Sequence, residues 1–249
     1  MVASKIPMLV AHRGWPARYP ENTLEGFAAA ATAGARWLEC DVQLSADAVP
    51  FVCHDLSLKR TGELDRLVTE MTAAELRRVS VGERQRFNAR YAQVKLPALV
   101  NLIAWFATRP DVALFVEIKR QSLRHHGVGL VVKKVLQAIQ PVQKRCVIIS
   151  FDPACLALAR KQGAAAIGWA VKDAAPATWQ SARALSPDYL FTSETLFTTV
   201  HAALPGAWQW VVYQTQDPAR AVALAAQGAG LVETNDIGAM LGDPRLRPA

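Results

Sequence analysis

Apolar residues along this chain fall in short runs, separated by longer stretches in which they recur every third or fourth position. The runs predict strands over 8–12, 37–44, 112–119, 147–150, 166–171, 188–192, 210–214 and 231–234. The wider spacing predicts helices over 23–33, 98–107, 128–139, 153–162, 176–184, 194–203 and 218–227. Proline opens the helices at Pro153, Pro176 and Pro218, where its fixed φ suits a first turn. Steady alternation of strand and helix calls for a parallel sheet with helices outside it. Eight such units without a break in composition predict an α/β fold, a closed (β/α)8 TIM barrel. An open doubly wound sheet is the alternative; it usually carries a GxGxxG loop after its first strand, and this chain has none.

A ninth run, 49–53, breaks the alternation. Ser45-Ala46-Asp47-Ala48 is too short a link for anything but an antiparallel hairpin. With the turn centred near Asp47, the returning strand sets His54 about level with Asp41. The polar segment that follows, with one short helix over 73–79, reads as an excursion over the barrel spanning about 55–96. Residues 1–249 are then expected to form a single domain, since one such barrel commonly takes about 250 residues. The tail after Gly242, with Pro244 and Pro248, reads as frayed.

Composition narrows the class. Hydrophobic residues make up 51% of the chain, enough for a large core, and at 20% charged it is no disordered polymer. A net charge of +7 favours anionic ligands. The basic stretch containing Arg77, Arg78, Arg84, Arg86 and Arg90 lacks a run of stacking aromatics and reads as a solvated face, so no nucleic-acid partner is expected. No uninterrupted apolar run reaches about 18 residues, which excludes a helical membrane span, and no secretory segment is recognised at the start. Cys40, Cys53, Cys146 and Cys155 show no CxxC spacing; as buried free thiols they fit a reducing cytoplasm.

The chemistry concentrates at predicted strand ends. Glu39 and Asp41 face the same side of one strand, Glu117 and Lys119 repeat that spacing on another, and His12-Arg13-Gly14 ends the first. In a (β/α)8 barrel these ends form the catalytic face. Three carboxylates without a cysteine pair suit a hard divalent cation with oxygen ligands: Mg²⁺ foremost, with Ca²⁺ and Mn²⁺ as alternatives. Glu39, Asp41 and Glu117 against Arg13 and Lys119 leave the empty site at about −1, and one divalent ion turns it to about +1, fit for a phosphodiester. His12 and His54 can serve as base and acid, their ordinary pKa of about 6.5 permitting either role near neutrality. Arg13 suits the non-bridging phosphate oxygens and Lys119 the charge of the transition state. Glu117 and Lys119 also have the composition of a structural ion pair. His125, His126 and His201 read as surface or structural residues, and Asp152 and Asp236 as helix N-caps.

These residues resemble the glycerophosphodiester phosphodiesterase family. Ala11-His12-Arg13-Gly14 and Pro20-Glu21-Asn22-Thr23 are similar to its HRG and PENT elements. Glu39-Cys40-Asp41-Val42, His54-Asp55, Leu58, Arg60, Thr61, Thr72, Glu75-Leu76, Leu96-Pro97, Glu117-Ile118-Lys119 and Ser150-Phe151 continue the likeness in order over nearly the whole chain. The resemblance implies a metal-dependent enzyme that hydrolyses glycerophosphodiesters to glycerol 3-phosphate and an alcohol, in the manner of compact bacterial cytoplasmic forms. It implies Glu39, Asp41 and Glu117 at the metal, His12 and His54 as the acid–base pair, and Arg13 and Lys119 on the phosphate. The chain departs from the pattern at Tyr213-Gln214-Thr215-Gln216, where a WTVN-like element is usual, at Asn235, where aspartate often stands, and at Asp47-Ala48, in place of an Asp-Gly turn. None of these departures falls on the seven residues assigned to chemistry.

Three other readings draw on parts of the same sequence. A related phosphodiesterase could act on lysophospholipids or inositol phosphodiesters. A non-catalytic anion- or nucleic-acid-binding module would draw on the positive charge. An amidohydrolase-type enzyme is disfavoured because no His-x-His follows the first strand. The alcohol moiety and the oligomeric state are not legible.

Overall fold

The computed structural model describes residues 6–246. Nine strands are present among them: β1 (Met8–His12), β2 (Trp37–Leu44), β3 (Pro50–Val52), β4 (Ala113–Ile118), β5 (Cys146–Ser150), β6 (Ala166–Ala170), β7 (Tyr189–Ser193), β8 (Gln209–Tyr213) and β9 (Ala229–Thr234). β1 pairs with both β2 and β9, so all but β3 form a closed parallel ring in the order β1-β2-β4-β5-β6-β7-β8-β9. This is the expected (β/α)8 barrel. Helices lie between most neighbouring strands, and their apolar faces share one outer core with outward-facing strand residues such as Leu38, Leu114, Ile148 and Val212. Inward-facing Val10, Phe115, Val147, Ile149, Phe191, Val211 and Leu231 fill the interior. Phe115 stacks on Trp37 with ring centroids 4.6 Å apart, closing the lower interior. Gly168 makes room for this packing, because a Cβ there would lie 2.7 Å from the Phe191 ring.

β3 returns antiparallel along the extended end of β2, pairing Val42 with Val52 and Leu44 with Pro50. The Cys53 amide donates to the Asp41 carbonyl at 3.0 Å, so Cys53 rather than His54 stands opposite Asp41. The turn is centred on Asp47 as expected, closed by Ser45 and Val49 around three residues with Ala48 at φ +58°, and that centre sets residue 53, not 54, level with Asp41. The excursion is less polar than expected. Phe51, Leu58, Val68, Met71, Leu76, Val81 and Leu96 give it a small core of its own. In place of one short helix over 73–79 it carries three short α-helices, Lys59–Gly62, Ala73–Leu76 and Arg84–Phe87, the second starting on a capping box between Thr72 and Glu75. The arginines of its basic face are not bare of aromatics: Arg86 lies over the Phe87 ring and Arg90 over Tyr91. These contacts cover ring faces that base stacking would need.

Two further differences are local. The polar stretch after β4 is a helix, Arg120–His126, with His125 exposed and His126 half-buried. Chain beyond Gly242 continues as a short turn, Pro244–Leu246, pinned by buried Leu246. The remainder of the tail expected to fray lies outside the described residues, as does the start of the chain.

Candidate active site

All seven predicted residues meet at the carboxyl ends of the strands. β-pairing sets His12 beside Glu39 and Asp41 beside Glu117. His54 enters from the loop after β3. Six of the seven line a cavity of about 220 Å³ at the barrel mouth. Asp41, fully buried, lies beneath them. Ile149, Phe151, Ala170, Phe191 and Tyr213 form its apolar wall.

The backbone is shaped to hold Arg13. This residue sits at φ +56°, a conformation costly for any side chain other than glycine, and its amide donates to the Glu39 carbonyl at 3.0 Å. Gly14 follows at φ +89°, where a Cβ would lie 2.8 Å from the Gly26 carbonyl carbon. The guanidinium is anchored through Nη1 on Glu21 at 3.2 Å and Nε beside Asp41 at 3.0 Å. Asn22, also at positive φ, donates its side-chain amide to Asp41 at 2.8 Å and accepts from the Asp41 amide at 3.2 Å.

Lys119 Nζ lies 2.6 Å from Asp41 Oδ1 and 2.8 Å from Glu117 Oε1. The ion pair expected of Glu117 and Lys119 is therefore present within the constellation. One oxygen from each of Glu39, Asp41 and Glu117 falls within 4.8 Å of the others. Glu39 Oε1 is buried and accepts no hydrogen bond. Clustered carboxylates with an orphaned oxygen fit a hard cation.

Burial, together with Asp41 and Glu233, raises the Glu39 carboxyl well above its usual range. Glu117 is also raised by burial, with partial relief from Lys119. For Asp41, burial is outweighed by Lys119 and Arg13 together, and its carboxyl is held far below the usual range. Burial and the neighbouring Arg13 lower His12 to about 4.

Each imidazole has a fixed partner. His12 Nδ1 meets Asn235 Oδ1 at 2.9 Å, and its Nε2 points toward Glu39 Oε2 at 3.8 Å. His54 Nδ1 meets Asp55 Oδ1 at 2.6 Å, and Asp55 in turn accepts from Arg60 Nε at 2.7 Å. Arg60 also donates twice to Glu21, each bond 2.8 Å. Asn235, one of the departures set apart from the chemistry, thus touches His12 directly. Sequence reasoning also passed over Glu233, a buried acid in the cavity wall. Alternation along β9 could have found it, because Leu231 and Glu233 share the inward face. His201 packs on Phe197 and Trp210, away from the site, and Asp152 and Asp236 cap helices, as expected.

Fold and site together define a (β/α)8 barrel bearing an acidic cation cradle and two oriented imidazoles at its mouth. The chain belongs to the glycerophosphoryl diester phosphodiesterase family, whose sequence model matches residues 12–237. It is 33% identical over 153 residues to a glycerophosphodiester phosphodiesterase of Bacillus altitudinis, a match covering 61% of each protein. The matches to the first sequence relatives span about three fifths of those proteins' lengths. A phosphodiesterase of Oleispira antarctica, solved with the product sn-glycerol-3-phosphate, aligns over 94% of this chain and 95% of its own at a TM-score of 0.80 and 24% identity. A glycerophosphodiester phosphodiesterase of Agrobacterium tumefaciens aligns over 96% of this chain and all of its own, with a TM-score of 0.75 and 18% identity.

Proposed function

We propose that residues 1–249 act as one barrel domain that hydrolyses glycerophosphodiesters, releasing sn-glycerol 3-phosphate and an alcohol, with one divalent cation, Mg²⁺ foremost and Ca²⁺ or Mn²⁺ as alternatives. The observation that carries this reading is the convergence of Glu39, Asp41 and Glu117 with His12, His54, Arg13 and Lys119 at one cavity. Family membership and the product held by the Oleispira relative support the glycerol moiety.

Glu39, Asp41 and Glu117 would hold the cation, which when bound supplies positive charge to the phosphate and its attacking oxygen. His12 is the base: it is kept neutral, and Asn235 turns its free Nε2 toward the cavity. His54, the other imidazole at the mouth, delivers a proton to the departing alcohol oxygen. Arg13 and Lys119 face the phosphate oxygens. The hydroxyl next to the ester gives its proton to His12 and attacks phosphorus; the bond to the alcohol breaks, and water then opens the cyclic phosphate. Direct attack by water is the competing route, and trapping of the cyclic ester separates them.

The deciding assay measures glycerol 3-phosphate release from a panel of glycerophosphodiesters with Mg²⁺, Mn²⁺ and Ca²⁺. Release that stops after chelation and returns with metal supports the reading. Turnover that survives exhaustive chelation, or no turnover of any diester, refutes it. Four buried free cysteines support a reducing, cytoplasmic setting. No helix among the described residues is long and apolar enough to cross a membrane.

A further inference from the structure

Glu233 is 3% exposed, and its Oε1 accepts no hydrogen bond. Its carboxylate lines the cavity, yet it stands outside the Glu39–Asp41–Glu117 set whose oxygens approach closely enough to share an ion. Lys119, the cation nearest the triad, pairs with Asp41 and Glu117 instead. A buried carboxyl oxygen without a donor is costly, and such a group is retained where a ligand completes it.

The cavity has an open and a closed side. His54, with a side chain 35% exposed, marks the open side. Glu233 marks the closed side, beside Val10 in the β1–β9 ladder and with Tyr213 in the same wall. A departing alcohol of variable size needs the open side. The closed side can admit only a small constant group that brings hydrogen-bond donors.

We infer that Glu233 is a substrate-binding residue that accepts a hydrogen bond from the terminal hydroxyl of the retained glycerol, so selecting glycerol over smaller diols. The inference rests on the proposed phosphodiesterase reading and adds a specificity determinant to it. A carboxyl oxygen of Glu233 accepts the hydroxyl hydrogen without bond making or breaking. The glycerol is then held in one orientation, its middle hydroxyl left free to reach phosphorus.

The test compares two diesters with the same departing alcohol. One carries glycerol; the other carries propane-1,2-diol, which keeps the hydroxyl adjacent to the ester and lacks the terminal one. The wild-type protein should favour the glycerol diester by about 10²-fold or more in kcat/KM, since a site built around a hydroxyl rejects the analogue that lacks it. Glu233→Val should bring the ratio to within about threefold by slowing the glycerol diester, while Glu233→Gln, which retains an acceptor oxygen, should fall between. A ratio that Glu233→Val leaves unchanged overturns the inference. If that variant does not fold, the wild-type protein decides: calorimetric binding of sn-glycerol 3-phosphate no tighter than that of propane-1,2-diol phosphate overturns it. Wild-type protein that hydrolyses neither diester refutes the phosphodiesterase reading, whereas the binding comparison still judges Glu233.

Discussion

His12 Nδ1 and Asn235 Oδ1 lie 2.9 Å apart, across the seam where the last strand closes on the first. An amide oxygen accepts and cannot donate, so it fixes the tautomer with the proton on Nδ1 and frees Nε2 for the cavity.

Replacing Asn235 by Ala should therefore lower kcat by on the order of 10–100-fold with a smaller change in KM, because the ring loses its orientation. Asn235→Asp puts a carboxylate against the imidazole and raises the His12 pKa from about 4. In the proposed role of base His12 must be neutral, so the acidic limb of the kcat/KM profile should move to higher pH in Asn235→Asp. An unchanged limb would remove His12 from the role of base.

Glu39 and Glu117 both have raised carboxyl pKa values, with burial the main cause. A cation must then displace protons, so affinity for Mg²⁺ or Mn²⁺ should rise with pH, with on the order of one proton released per site. Calorimetry in buffers of different ionisation enthalpy measures that release. Glu39→Gln should weaken binding by at least about tenfold.

Stability of the metal-free protein should fall with pH near neutrality. Burial, with Glu117 and Asp41, pushes Glu233 up to about 8 from an ordinary 4.5. Between those values the native state binds more protons than the unfolded chain, so stability declines as pH rises. His12, lowered from 6.5 to about 4, acts in the opposite sense below pH 6.5. From pH 6.5 to 8 the Glu233 effect should cost on the order of 1–2 kcal/mol, and the raised Glu39 and Glu117 carboxyls act in the same sense. Denaturant unfolding at the two pH values checks this, and Glu233→Gln should reduce the difference.

Ala48 occupies φ +58° in the hairpin turn, a conformation that penalises a Cβ. Ala48→Gly should stabilise the protein by about 0.5–1 kcal/mol, read as a rise in Tm of about 1–4 °C. No change in kcat is expected, since the turn lies away from the cavity.

Periodicity carried most of this fold. The eight barrel strands end within two residues of their predicted bounds because burial on both faces makes each one a dense apolar run, as in Cys146–Ser150. Short helices were harder. Arg120–His126 buries Ser122 and Leu123 and is otherwise polar, so it carried little periodic signal. The site was legible where polar residues interrupt strands at a spacing of two, as in Glu39 and Asp41. Glu233 interrupts its strand only once, and Asn235 acts through a contact 223 positions away in sequence. Such pairings depend on ring closure, which local spacing does not encode.

Arg60 holds Glu21 with two bonds and Asp55 with a third. The loop that presents Arg13 and the loop that presents His54 thus share a single anchor, and that anchor belongs to the excursion rather than to the barrel. The insertion is consequently not an exchangeable ornament. Transplanting a different one onto this scaffold, without an arginine placed like Arg60, would sever the tie between the two loops.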